Sequence, residues 1–423
     1  MRKLFVAALL GAGGVAAAVA LAVAGGTATA AHPVDALLRG TFTMKGTVSV
    51  AQHVAGEHAG QHVTRSWTFY PSCSTGGCPR VVLKRFRSPK HVLDRITLSR
   101  QRPGVYVGKH RFWLALKCNG AVVKRGGYAN ETITVSIMRA VAVGGTRDAT
   151  GIRATYNNPS RFNQTRCPGG IGHDAAKYSG HLNSTAFAST ANGGYLILTA
   201  DGGVYNFGKA SLHGSDAGKL PAGVRAVRIA ADPTGGGYWI LRSNGGVDAF
   251  NAAKAGSLAG KLHGTRAVAI AAGANGGYLI LTSDGSVHPF GKANWHGSDK
   301  GKLGHGVRAV GLAVNRNGGY WILKSNGGVD GFGAPVSGSL AGKLHGARAV
   351  SIGAAPTKGY WILTSNGGVH AFGGSGRHGS DKLGHGMSAV SLAVDPVAGG
   401  YWILKSNGGV DAFGAPSLGS LAG

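Results

Sequence analysis

Apolar and polar residues along this chain fall into three patterns. From Leu4 to Ala24 the run is apolar and rich in alanine. Between Leu37 and His181 apolar residues come in short bursts with partial alternation, as in GTFTMKGTVSV, HVTRSWTFYP, RVVLKRF, GVYVGKHRFWLALKC, ETITVSIMRAV and GIRATYN. β-Branched and aromatic residues at period two, bounded by turn residues, predict strands, and no comparably long stretch has a helical period. The expected unit over residues 31–181 is a single antiparallel β-barrel or sandwich. From Leu182 to Gly423 the pattern repeats itself.

GGYWILKSNGGVDGFG, Gly318 to Gly333, is one of six related copies. Its tyrosine recurs at Tyr195, Tyr238, Tyr278, Tyr320, Tyr360 and Tyr401, spaced by 43, 40, 42, 40 and 41 residues. Self-similarity at about 40 residues signals propeller blades or solenoid coils, and the glycine content and absent helical period exclude helical repeats. One unit reads as up to four short strands: RAVAIAA (266–272), GYLILTS (277–283), SVHPFG (286–291) and NWHGS (294–298). Asp284-Gly285 and Asn326-Gly327 suit the hairpin turns, and aromatics with Ile and Leu fill the space between sheets. The Gly-Tyr strand occurs six times, but the RAVAIAA strand clearly only five times before Gly423. LNSTAFAST, Leu182 to Thr190, stands where the missing strand would be. It is expected to pair with the last blade and close a six-bladed β-propeller, leaving no free edge.

The copies also alternate. Odd copies carry Tyr205, His288 and His370 where even copies carry Asp248, Asp330 and Asp411. Odd copies run on into HGSD at His213, His296 and His378, and even copies into GSLAG at Gly256, Gly338 and Gly419. Three two-blade units imply pseudo-threefold symmetry.

Composition sharpens this all-β picture. Glycine makes up 75 of 423 residues, far above the usual share of about 7%, without the every-third spacing of collagen. Lys and Arg outnumber Asp and Glu by 44 to 16, a formal charge of +28. The excess is concentrated: 22 against 6 from Ala31 to His181, and 20 against 10 from Leu182 onward. Such a charge implies anionic company (wall polymer, nucleic acid, acidic lipid or polysaccharide) or simply a basic solvated surface. Met1-Arg2-Lys3, the apolar run and Ala28-Thr29-Ala30 read as a signal peptide over residues 1–30, against the competing reading of a retained membrane anchor. Export then makes the four cysteines disulfides; of the three possible pairings the most economical is Cys73–Cys78 across a four-residue turn with Cys118–Cys167 between distant strands. Zinc fits the C-x4-C spacing poorly, so neither metal nor cofactor is expected. HVAGEHAGQH groups His53, Glu57, His58 and His62. If His53 and His62 faced each other across a hairpin they could hold zinc or copper, but a polar turn is the plainer reading.

GGYWILKSNGGVDGFG…GSLAG resembles the Gly-Tyr-Trp…Gly-Gly-Val…Phe-Gly…Gly-Ser repeats of exported actinobacterial proteins. The resemblance covers Leu182 to Gly423 and implies β-propellers, which often accompany wall-associated hydrolases or adhesive modules. RSWTFYPSCSTGGCPRVVLKR and ATGIRATYN in the first half resemble an uncharacterised β-rich exported domain. Neither resemblance brings a catalytic motif, and no G-x-S-x-G elbow, HExxH or P-loop is present. HGSD occurs three times, whereas a catalytic centre is normally unique. Its residues His213, Asp216, His296, Asp299, His378 and Asp381 are therefore read as blade packing or as a repeated ligand site. Trp295 joins them because Leu212 and Arg377 fill the matching positions. The expectation is a secreted or envelope-associated, non-catalytic protein that recognises anionic or carbohydrate wall material, with another envelope protein as a further candidate partner and no nucleic acid. The alternatives are an accessory module of a secreted wall hydrolase or esterase, and a scaffold without small ligand.

Overall fold

The computed structural model describes residues 32–422 apart from 55, 88–91, 119–120, 164–171 and 385. The signal-peptide reading and the Cys118–Cys167 bridge concern residues that lie outside this set, in the second case through Cys167. Eight antiparallel strands, each bonded to its neighbour in sequence, form a closed barrel. They are β1 (Gly40–Gln52), β2 (His62–Pro71), β3 (Arg80–Arg87), β4 (Val92–Arg102), β5 (Val105–Cys118), β6 (Ala121–Val143), β7 (Thr146–Asn163) and β8 (Gly172–Leu182). β8 returns to β1 with Leu182 opposite Phe42. Period two explains the closure: Val81, Leu83, Ile96, Leu98, Ile133 and Val135 are buried, while Arg95, Thr97 and Lys109 between them are exposed. An eight-stranded barrel is just wide enough for side chains to fill, so the first half is a barrel and no sandwich. Cys73 and Cys78 are joined across the β2–β3 turn, the chemistry of an oxidising compartment. The two histidines at the β1–β2 turn do not face each other, because His62 sits opposite Thr47 and His53 lies past the end of β1.

Six three-stranded sheets follow among the described residues. The first holds β9 (Ser184–Thr190), β10 (Gly194–Thr199) and β11 (Val204–Gly208). The second holds β12 (Ala226–Ala231), β13 (Tyr238–Arg242) and β14 (Val247–Phe250). β15 (Ala267–Ala272), β16 (Tyr278–Thr282) and β17 (Val287–Phe290) form the third. β18 (Ala309–Val314), β19 (Tyr320–Lys324) and β20 (Val329–Phe332) form the fourth. The fifth is β21 (Ala349–Ala354), β22 (Tyr360–Thr364) and β23 (Val369–Phe372), and the sixth β24 (Ala389–Val394), β25 (Tyr401–Lys405) and β26 (Val410–Phe413). The leading strands pack on one another in succession, and β24 returns to β9. The chain is all-β, and this half is a β-propeller.

Two expectations about the ring need correction. β9 pairs with β10 of its own sheet, Phe187 opposite Ile197, and not with the last sheet. STAFAST is thus the sixth copy of the leading strand, disguised by its polar residues. Nor is NWHGS a strand. The segment after each third strand runs without a ladder, because the next sheet holds it by side chains instead. Gly214, at φ +127°, lies so close to Phe250 that a Cβ would come 2.9 Å from the ring. Tyr238 donates its hydroxyl to the Gly214 carbonyl, as Tyr320 does to Gly297 at 2.6 Å. A side chain at this glycine would be strained by the backbone angle and would strike the ring.

The ring closes by the same joint, with Tyr195 donating to the Gly419 carbonyl and Phe207 beside Gly419. Trp402 of β25 packs on Tyr195 at 5.1 Å, as Trp239 packs on Tyr278 at 5.1 Å and Trp361 on Tyr401 at 5.2 Å. The Gly-Tyr-Trp motif is therefore core: Trp239, Trp361, Trp402 and all six tyrosines are fully buried.

Only Asn183 separates the barrel from the ring, and its side-chain carbonyl accepts from Thr43 N–H and Oγ1 at 3.0 and 2.8 Å. The barrel sits over the first and sixth sheets. Arg39 pairs with buried Asp148, which also accepts from Tyr205 at 3.1 Å, and Arg139 donates to the Ala422 carbonyl at 2.6 Å. One continuous core runs from the barrel through Phe187, Tyr195, Tyr205 and Trp402. Trp402→Ala should therefore cost about 3–5 kcal/mol, read as a lower urea midpoint, although Trp402 and its partner Tyr195 are far apart in sequence. A midpoint within error of wild type would show that this joint does not hold the ring.

Candidate functional site

HGSD residues lie at the joints between sheets. The rings of His213, His296 and His378 lie tilted or edge-on beside the next sheet's Tyr238, Tyr320 and Tyr401, with centroids 6.0, 5.9 and 5.7 Å apart. The backbone N–H groups of His213 and His296 donate to those hydroxyls at 3.1 and 3.0 Å. Asp216, Asp299 and Asp381 fold back, each donating its N–H to the glycine carbonyl of its own sheet's hairpin turn (Gly202, Gly285, Gly367). Asp216 and Asp299 are buried and Asp381 half-buried. Across the joint each meets the aspartate that marks the even copies, Asp248, Asp330 and Asp411. The two alternations seen in the sequence are thus one contact. Trp295 stands apart, 59% exposed.

A second cluster, overlooked in the sequence, lies inside the barrel. Arg85 hydrogen-bonds Glu131 and comes within 3.6 Å of Asp94, with its guanidinium 5.8 Å from the Trp67 ring and 5.5 Å from Tyr156. His110 Nδ1 is 3.0 Å from the other Glu131 oxygen. Asp174 accepts from Tyr156 Oη at 2.7 Å and Asn158 Nδ2 at 2.8 Å. β4 and β5 pair only between Ser99–Arg102 and Val105–Val107, so Asp94 and His110 meet beyond the end of that ladder. The signal was there: Arg85 shares the parity of Val81 and Leu83, Asp94 that of Ile96 and Leu98, and Glu131 that of Ile133 and Val135. Asp94, His110 and Glu131 offer ligand atoms within 4.8 Å of one another. Arg85, however, puts a permanent positive charge on the same carboxylates, where a cation would have to bind. The residues fit an ion-pair network better than a metal.

The outer wall of the barrel carries a different arrangement. Trp113 on β5 and Tyr128 on β6 are cross-strand partners with ring centroids 5.7 Å apart. Arg111 lies 4.7 Å over Tyr128 and Arg125 5.7 Å over Trp113. Two strands further round, Lys84 lies 4.0 Å over Tyr70. Trp113 and Tyr70 are 42% and 45% exposed. Exposed rings topped by fixed cations present an apolar face and a positive charge together.

Removing Glu131 would leave Arg85 buried without its nearest carboxylate. Breaking a buried pair in this way costs about 3–5 kcal/mol. Glu131→Ala should lower the urea midpoint accordingly, and an unchanged midpoint would mean that the cluster is not buried as described.

No family model matches the chain, and no curated protein does. Among solved structures, the chain is similar to the extracellular domain of a putative hybrid two-component system from B. thetaiotaomicron, at 11% identity and TM-score 0.35, covering 87% of this chain and 72% of that one. It is similar to virginiamycin B lyase from Staphylococcus aureus at 12% identity and TM-score 0.32, covering 55% and 84%. The C-terminal WD40 domain of Sif2 matches at 10% identity and TM-score 0.29, covering 84% and 93%. Likenesses this distant leave the description of the ring to its own strand pairing and packing.

Proposed function

We propose that the chain is an exported, non-catalytic protein of an actinobacterial envelope that binds an anionic wall polymer through the outer face of its barrel. Its six three-stranded sheets serve as the blades of a six-bladed propeller that carries the barrel. The observation behind this reading is the paired Arg111–Tyr128 and Arg125–Trp113 on adjacent strands. Cations lying over surface rings are also ordinary packing of long side chains. Binding is favoured by three features together: the exposure of Trp113, a third pair at Lys84–Tyr70, and the excess of 16 positive charges between Ala31 and His181. A guanidinium fixed beside a ring can take a phosphate or carboxylate in two hydrogen bonds while the ring covers the apolar face of the adjoining sugar.

The test uses the full chain, titrated against teichoic acid and against a neutral wall glycan at low and physiological salt. Wild type should bind the anionic polymer, with an affinity that falls steeply as salt screens charges more than about 8 Å apart. Trp113→Ala should weaken binding about tenfold, the equivalent of about 1.4 kcal/mol, and Arg111→Ser/Arg125→Ser should remove much of the salt dependence. Salt-insensitive binding of both polymers, or none, would overturn the proposal in favour of a scaffold.

A further inference from the structure

Each HGSD aspartate belongs to a group of three charged residues that the two-sheet repeat places at one joint. Asp216 meets Asp248, and Arg242 bonds Asp248 and lies 3.6 Å from Asp216. Asp299 meets Asp330, which takes Lys324 at 2.7 Å. Asp381 meets Asp411, with Lys405 at 2.7 Å from Asp411 and 3.9 Å from Asp381. At the intervening joints the same segment position holds buried Leu258, Leu340 and Leu421. The middle strands there end in Thr199, Thr282 and Thr364 in place of Arg or Lys. Polar and apolar joints alternate round the ring.

Two carboxylates and one cation leave a net negative charge at each joint, where the HGSD aspartate is buried or half-buried and its partner is 26–40% exposed. One added proton makes the group neutral. The structure marks where that proton belongs: Oδ2 of Asp216, Asp299 and Asp381 is buried without a hydrogen-bond partner, whereas Oδ2 of Asp248 already takes Arg242. An acceptor facing an acceptor is satisfied only if one becomes a donor.

We propose that the ring carries three proton-binding sites, Asp216–Asp248, Asp299–Asp330 and Asp381–Asp411, each pair sharing one proton across a joint and so tightening the ring in mildly acidic surroundings. One carboxyl donates its O–H to the other, and the Arg or Lys neutralises the charge that remains. Burial, then the hydrogen bond and charge of Asp248, push Asp216 up to about 7, against Arg242 and Lys219, which pull it down; Tyr238 also faces it. Burial and Asp330 push Asp299 up to about 6 against Lys324 and Lys302. Burial and Asp411 do the same for Asp381, to about 6, against Lys405 and the Lys382 N–H. Asp330 and Asp411 are shifted down, chiefly by Lys324 and Asp299 and by Asp381 and Lys405, against their own burial.

A folded-state value raised above the ordinary aspartate value stabilises most below the unfolded value of about 3.9, and that stability is lost as pH rises through 6 to 7. His181 acts in the opposite sense across part of this window, since burial with Lys45 and Arg139 holds it down to about 4; burial also lowers His288 and His370. The pairs must therefore be read as a difference between proteins.

The experiment compares urea unfolding of the full chain with that of Asp216→Asn/Asp299→Asn/Asp381→Asn at pH 5 and pH 8. The amide donates at either pH, so the variant needs no proton. Wild type should gain on the variant from pH 8 to pH 5 by on the order of tenfold in folding equilibrium constant for each pair. A difference independent of pH would overturn the proposal. Infrared spectra of the unmodified chain keep it testable if the variant does not fold: a protonated carboxyl band should titrate near pH 6 to 7, and its absence above pH 5 would be decisive against shared protons. Calcium added at pH 8 should leave the wild-type midpoint unchanged. A calcium-dependent rise that the variant lacks would reassign the pairs as cation sites.

Discussion

Everything in the repeat half depends on one contact, a tyrosine hydroxyl donated to the glycine carbonyl of the preceding segment, with a phenylalanine ring lying against that glycine. A three-stranded sheet cannot bury both its faces alone, so each sheet needs its neighbour. The contact gives neighbours a fixed spacing. It demands a residue without Cβ at the segment, a ring at the end of the third strand, and a tyrosine at the head of the second. Those demands account for most of what the copies share. They also remove any need for a special closing device, since Tyr195 receives Gly419 as Tyr238 receives Gly214.

What the copies do not share is equally ordered. Asp216 and Leu258 occupy the same backbone position, each tied to its own hairpin turn. Leucine makes a joint by excluding water; aspartate makes one by charge and hydrogen bonding, and only with Asp248 and Arg242 on the far side. A mismatch would bury an unpaired carboxylate, which costs far more than either matched joint. The two-sheet period of the sequence is therefore a matching rule between neighbours.

Much of this was legible beforehand. The six tyrosines fixed the number and spacing of units, and period-two alternation marked the barrel strands. The leading strand of the first sheet was legible only as a mispaired edge, because Ser184, Thr185 and Ser189 mask its kinship with AVAIAA. NWHGS looked like a strand because nothing local says that Gly297 sits beneath Phe332; that constraint comes from the next sheet. The barrel's buried Arg85, Asp94 and Glu131 followed the alternation, yet charge at an inward position reads as exposure until the partners on β3, β4 and β6 are brought together. Sequence parity places a side chain, but only closure of the barrel supplies its partner.

The single residue between β8 and β9 has a mechanical consequence. With Asn183 bonded to Thr43 and one core running through the junction, there is no slack for a hinge. The barrel spans the first and sixth sheets, the one place where ring neighbours are distant in sequence, and so acts as a clamp over that seam. Strain applied to the barrel wall passes directly to the seam, and whatever stiffens the barrel also resists opening of the circle. The two halves share a single mechanical fate.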